Sequence, residues 1–186
     1  VLFHFSTDEV YGDIEEGEHI ESDFLKPSNP YSSSKAASDM LIYGYSRTYG
    51  IDYIILRPTN NYGIGQYPEK LIPLSVKLLM RDQKIRLHNA GEPIRNWLHS
   101  ADTATAVTTI IESGVKNEIF NVAGGFEQTN LETAKQILAA FFGELPKTYG
   151  RYLDLSHKRK GQDVRYALND DKLKNLGWKP KKKFSE

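Results

Sequence analysis

Apolar and polar positions along the chain fall into short runs whose period switches between that of a strand and that of a helix. Residues 1–5, Val-Leu-Phe-His-Phe, form a β-branched and aromatic run closed by Ser6, the pattern of a largely buried strand. A turn-rich acidic stretch, 12–27, reads as a surface loop. Asn29-Pro30 then supplies an N-cap and a first-turn proline, which predicts a helix from Pro30 to about Tyr49 with Gly50 as the residue that ends it. Residues 51–57 are a second buried strand, stopped by Pro58. Two strands joined by a long helical crossover pair in parallel, so this half predicts an α/β sheet.

Past Gly63 the pattern predicts a helix over 71–80, a strand over 84–88, a helix over 100–113 capped by Ser100, and a strand over 118–122. Thr129-Asn130-Leu131-Glu132 is a capping box, placing a helix over 130–142. A last short helix is expected over 169–176, and the lysine-rich 179–183 reads as a solvated tail.

Composition narrows the class. The chain has 186 residues, 39% hydrophobic and 26% charged, the balance of an ordinary globular protein. Twenty-four Lys and Arg balance twenty-four Asp and Glu, so no global field recruits nucleic acid or an anionic membrane. No apolar run approaches the roughly 20 residues that span a bilayer. Cysteine is absent, which removes disulfides and thiolate chemistry and suits a reducing, cytoplasmic setting. The five histidines show no metal-ligand spacing, so no metal site is expected. The first residues are too short for a signal peptide and read as a chain already inside a strand.

Two constellations carry candidate chemistry. Ser6-Thr7-Asp8-Glu9 follows the first strand, where open α/β sheets place their ligands. In a continuing strand Asp8 and Glu9 would point to opposite faces, so both can serve one substrate only if the chain leaves the strand there. Two adjacent carboxyls in a crevice can then acquire separated pKa values, one acting as acid and one as base. Read alone, the four residues are better taken as a capped strand-to-loop turn. Tyr31 and Lys35, four apart on a helix, share a face, and a neighbouring ammonium favours the phenolate, making Tyr31 a candidate base. No Gly-rich turn with a following acid, the dinucleotide fingerprint, occurs anywhere in the 186 residues.

Ser6-Thr7-Asp8-Glu9-Val10-Tyr11-Gly12 and Tyr31-Ser32-Ser33-Ser34-Lys35-Ala36-Ala37-Ser38-Asp39 resemble the signature segments of extended short-chain dehydrogenases/reductases, and more narrowly of dTDP-glucose 4,6-dehydratases. Arg57 to Gly63, Glu69 to Pro73, Ile94 to His99, Asn121 to Gly125 and Leu176 to Pro180 match in the same order. Sister epimerases and decarboxylases share the Tyr/Lys pair, whereas Thr7-Asp8-Glu9 is the discriminating element. The resemblance implies an α/β fold: a partial NAD-binding, Rossmann-like parallel sheet (1–65 with 98–124) and a smaller α/β nucleotide-sugar lobe (66–97 with 125–186). It implies NAD as cofactor and catalysis by Thr7, Asp8, Glu9, Tyr31 and Lys35. Tyr31, Lys35 and Asn61 would face the cofactor. Thr7, Asn60, Lys70, Leu71, Arg95 and Asn121 would surround the substrate, with Arg159 to Gln162 near the diphosphate. The activity implied is 4,6-dehydration of a nucleotide hexose, dTDP-glucose foremost. A 4-epimerase, or a non-catalytic fragment or subunit, stands as the alternative.

The family's usual Pro and Tyr are replaced by Arg86 and His88, and its Arg-Pro-Gly-His-Asp by Arg159-Lys160-Gly161-Gln162-Asp163. Those departures leave thymidine, uridine or another base open. The first strands, the Gly-rich turn and the ribose-binding acid are expected in an N-terminal portion outside these residues. A homodimer or that portion is the expected partner, and the first strand is expected to expose an edge.

Overall fold

The computed structural model describes residues 1–159 and 163–185. In chain order its elements are β1 (Leu2–Phe5), α1 (Pro30–Tyr49), β2 (Tyr53–Pro58), β3 (Asn60–Tyr62), α2 (Leu71–Leu79), β4 (Ile85–His88), β5 (Ile94–His99), α3 (Ser100–Ser113), β6 (Glu118–Val122), β7 (Glu127–Thr129), α4 (Asn130–Phe142), β8 (Leu153–His157) and α5 (Asp171–Lys174). The main sheet runs β1-β2-β6, all parallel, with Phe5 opposite Leu56 and Leu56 opposite Phe120. β1 is its edge strand, with Val1, Leu2 and Phe5 exposed.

β2 reads as a continuous apolar run because both its faces are covered. Tyr53 and Ile55 pack with Ile42 of α1, while Ile54 and Leu56 pack on the opposite side with Ala106 and Ile110 of α3. The chain belongs to the α/β class, with parallel strands joined by helical crossovers. A second core gathers Leu79 after Val76 of α2, Ile85 and Leu87 of β4, Ile137 and Leu138 of α4, and Leu153 of β8. Between the two cores lies a small sheet in which β5 pairs β3 in parallel and β7 in antiparallel.

The α1 ends follow the sequence. Asn29 Oδ1 accepts from Ser32 N at 3.0 Å, Asn29 N donates to Ser32 Oγ at 3.2 Å, and Gly50 sits in the left-handed region at φ 67°. Elsewhere the structure differs. α3 is capped by His99, whose Nδ1 accepts from Ala101 N at 3.1 Å, because β5 runs straight into the helix and Ser100 is already helical. The last helix is only Asp171–Lys174. Strands β3, β5, β7 and β8 carry mostly polar or mixed residues and left no apolar run to find.

The lysine-rich segment is not a free tail. Lys181 N and Lys182 N donate to the two carboxylate oxygens of buried Asp102, at 3.0 and 2.9 Å, and the Phe184 ring packs against Tyr62, Trp97 and Phe126. Nor does all of the C-terminal stretch join the second core: Leu173 and Trp178 pack on the main sheet with Ile54, Leu56 and Phe120. Trp178 Nε1 is held there by Thr105 Oγ1 at 3.0 Å.

Candidate active site

A cleft of about 610 Å³ opens at the carboxyl ends of β1 and β2, between the two cores. Ser6 and Thr7 follow β1 into it, Pro58 and Thr59 end β2, and α2, β4 and β5 contribute the far wall. Its location is the one a parallel sheet dictates, since the loops leaving the strands diverge there.

At Thr7 the chain abandons the strand for a 3-10 turn, Asp8–Tyr11, which settles the facing problem for the two carboxyls. Val10 and Tyr11 are driven under α1 with Ala36, Ala123 and Leu168, and this anchor presents Thr7, Asp8 and Glu9 together to the cleft. Thr7 Oγ1 donates to Asp8 Oδ1 at 3.0 Å and accepts from Glu9 N at 3.4 Å. Gly12 ends the turn at φ 86°, where a Cβ would stand 2.5 Å from the Lys26 carbonyl oxygen.

Asp8 is 4% exposed, and burial pushes its carboxyl up to about 7 against the opposing Thr7 hydrogen bond. The negative charge of Glu9 adds to the rise and Arg95 works against it. Tyr31 lines the same cleft and is 54% exposed. Its phenol is raised above the ordinary range, first by desolvation and then by the charges of Glu9 and Asp8. Lys35, expected to activate that phenol, has its hydrogen bond elsewhere in this arrangement. The Lys35 ammonium donates instead to the Phe5 carbonyl at 2.5 Å, at the end of β1.

Asn60, Asn61, Lys70, Leu71, Arg95 and Arg159 all line the cleft. Asn61 is fixed from both ends: its amide nitrogen donates to Thr59 O at 2.9 Å and its oxygen accepts from Thr103 Oγ1. Arg95 lies over the Tyr166 ring at 5.3 Å and donates to the Asp163 carbonyl at 3.3 Å. Arg86 joins Lys70 and Arg159 on the far wall, giving that end a cationic lining, with His88 beside them. Gln162 lies outside the described residues.

Asn121 is not in the cleft. It is wholly buried: its side-chain oxygen accepts from Tyr11 Oη at 2.8 Å, and its nitrogen donates to the carbonyls of His19 and Asn169. Tyr11 Oη in turn accepts from Arg57 Nη1 at 2.8 Å, and Arg57 pairs with buried Asp39 at 3.0 Å. The substrate role expected of Asn121 is therefore replaced by a structural one, holding the turn beneath Asp8 and Glu9.

Sequence reasoning assigned no role to Ser6 or Thr59. Their hydroxyls are buried in the cleft floor with no hydrogen-bond partner, as is Asp8 Oδ2. Three buried polar atoms without a partner, gathered after the ends of β1 and β2, are groups that a bound polar ligand or water could satisfy. Only the position of Ser6 and Thr59 directly after buried strands could have signalled them. Among the described residues no three His, Cys, Asp or Glu are grouped to hold a metal, and no helix is long and apolar enough to cross a membrane.

Parallel strands, an α1 bearing Tyr31 and Lys35, and a cleft at the strand ends define a protein of the dehydrogenase/reductase type, and residues 1–123 match the family model described as NAD dependent epimerase/dehydratase family. The chain belongs to that family. It is 40% identical to a dTDP-glucose 4,6-dehydratase of Streptomyces niveus, over 98% of this chain and 53% of that protein. It is 36% identical to the low-salt glycan biosynthesis protein Agl12 of Haloferax volcanii, over 100% of this chain and 58% of that protein. The solved structure of DesIV, a dTDP-glucose 4,6-dehydratase from Streptomyces venezuelae with NAD bound, superposes with a TM-score of 0.92 at 39% identity, covering 98% of this chain and 56% of that one. A UDP-glucose 4-epimerase of Thermus thermophilus in complex with NAD superposes with a TM-score of 0.87 at 26% identity, covering 100% and 60%. The chain thus spans about half the length of the curated relatives it matches.

Proposed function

We propose that the protein carries out NAD-dependent 4,6-dehydration of a nucleotide hexose, dTDP-glucose foremost, to a 4-keto-6-deoxy sugar nucleotide. The observation that carries the reading is the pair Asp8 and Glu9, set side by side in one cleft with Tyr31 and given different environments. An epimerase needs no acid to expel a hydroxyl; a dehydratase needs both an acid and a base.

The residues present fit the nicotinamide end of a dinucleotide. Tyr31 is open to the cleft, Asn61 is held rigid beside it, and the Ser6 and Thr59 hydroxyls are unpartnered at the strand ends. When bound, NAD supplies the hydride acceptor and donor and a positive ring charge that favours the Tyr31 phenolate. Tyr31 takes the proton of the sugar 4-hydroxyl, which Thr7 helps to hold. The 4-ketone so formed acidifies the C5 hydrogen, and Glu9 removes it as a proton. Asp8, whose proton is retained up to about pH 7, protonates the 6-hydroxyl as it departs, so that water leaves. Lys70, Arg86 and Arg159 provide charge-assisted hydrogen bonds to the diphosphate.

The test is incubation of the protein with NAD and dTDP- or UDP-glucose, followed by mass spectrometry. The expected product is lighter by one water. An epimer of unchanged mass would point to a 4-epimerase, and no turnover under conditions where calorimetry shows NAD bound would point to a non-catalytic module.

A further inference from the structure

Asn29 is read most simply as the N-cap of α1, a duty that Ser, Thr or Asp would perform as well. Its oxygen is committed to that cap, accepting from Ser32 N at 3.0 Å. The nitrogen of the same amide must therefore face the other way, and it points at carboxylates. Asn29 Nδ2 donates to Glu9 Oε2 at 3.1 Å and lies 3.4 Å from Asp163 Oδ2. Asp163 is itself tied to the neighbouring Ser28, whose hydroxyl donates to its Oδ1.

We propose that Asn29 is a positioning residue for Glu9: one side-chain amide sets the start of the helix that carries Tyr31 and fixes the carboxylate assigned to take the C5 proton. The proposal rests on that assignment of Glu9. Among good capping residues asparagine alone carries its acceptor and its donor on separate atoms, so the oxygen can cap the helix while the nitrogen meets a carboxylate. Serine would keep the cap, but its single, shorter hydroxyl does not replace the amide nitrogen that reaches Glu9. Aspartate would keep the cap and set a third carboxylate against Glu9 and Asp163. The bond joins two segments 20 residues apart, so it also fixes the 3-10 turn against the helix N-terminus.

Asn29→Ser separates the two duties, because serine caps about as well as asparagine. The expected result is a kcat lowered roughly tenfold or more with KM unchanged, since a misplaced base affects only the later step. Exchange of the C5 hydrogen with solvent deuterium should slow by the same factor, while single-turnover oxidation at C4, read as NADH absorbance, keeps its wild-type rate. Unchanged kcat and exchange overturn the proposal, and so does an equal loss in C4 oxidation and C5 exchange. A thermal double-mutant cycle of Asn29→Ser with Glu9→Ala reads the contact without activity. Asn29→Ser should lower Tm by about 2–4 °C more with Glu9 present than with Glu9→Ala. Additive shifts overturn the contact. If the wild-type protein releases no water and exchanges no C5 hydrogen, the functional reading has failed, and the cycle alone still decides whether Asn29 holds Glu9.

Discussion

Asp8 and Glu9 are neighbours in sequence with the same functional group, and the structure separates them by burial and by hydrogen-bond partner. Asp8 is enclosed beneath Thr7, whereas Glu9 is half-exposed and takes its hydrogen bond from Asn29. An aspartate held protonated up to about 7 makes a definite pH prediction. Between about pH 4 and 7 the unfolded chain gives up this proton more readily than the folded one, so the group lowers stability progressively across that window. Asp8→Asn removes the effect, and its Tm relative to wild type should climb between pH 4 and 7 and level off above. The same variant should lose about 10²–10⁴ in the rate of water release. In the wild type, water release should decline as pH rises through about 7. A pH series of melting curves and single-turnover rates checks both. Thr7, Asp8, Glu9, Tyr31 and Lys35 could be picked out as candidates from the sequence, because their spacing sits on a strand end and a helix face. Their protonation could not, since it depends on what covers each group. Tyr31 illustrates this: spacing puts an ammonium one turn away, yet the Lys35 side chain reaches the Phe5 carbonyl instead.

At the level of elements, the apolar runs revealed β1, β2, β4 and β6, and the caps revealed α1 and α4. The polar strands β3, β5 and β7 were invisible because their residues are chosen for partners elsewhere in the chain, not for a local period. Gly124 shows how tight those partnerships are. A Cβ there would stand 1.8 Å from the Trp97 carbonyl oxygen, so β5 and the chain leaving β6 touch through bare backbone. Gly124→Ala is expected to cost about 3 kcal/mol or more, seen as an early unfolding midpoint in urea. The Asp39–Arg57 pair joins α1 to β2 in full burial, with Tyr11 and Asn121 completing the network. Removing one partner leaves an uncompensated charge, so Asp39→Ala should cost about 3–5 kcal/mol by the same measurement. That network accounts for Asn121, which the family resemblance had set around the substrate, being spent on structure.

The whole molecule brings two cores together across a cleft, one wall from strand ends and the other from α2, β4 and β5. It supplies a reaction centre and a cationic end, but none of the 186 residues forms a Gly-rich pyrophosphate turn. A polypeptide of these residues alone is accordingly expected to bind NAD weakly or not at all by isothermal calorimetry. Tight stoichiometric binding would falsify that expectation. The docked C-terminal segment belongs to this scale too. Asp102 accepts two backbone N–H groups from it, and Phe184 packs on Trp97, which also lines the cleft.

The sequence by itself determined the α/β class, the parallel pairing of the strands flanking α1, and the candidate residues at their ends. Those features are written in periodicity, caps and short motifs, where each residue answers to near neighbours in the chain. Only the tertiary structure decided that Asp8 is the buried carboxyl, that Lys35 bonds the Phe5 carbonyl, that Asn121 is sealed away, and that Asn29 reaches Glu9. Each of those outcomes depends on desolvation or a hydrogen bond set by groups that packing, rather than local pattern, brings into place.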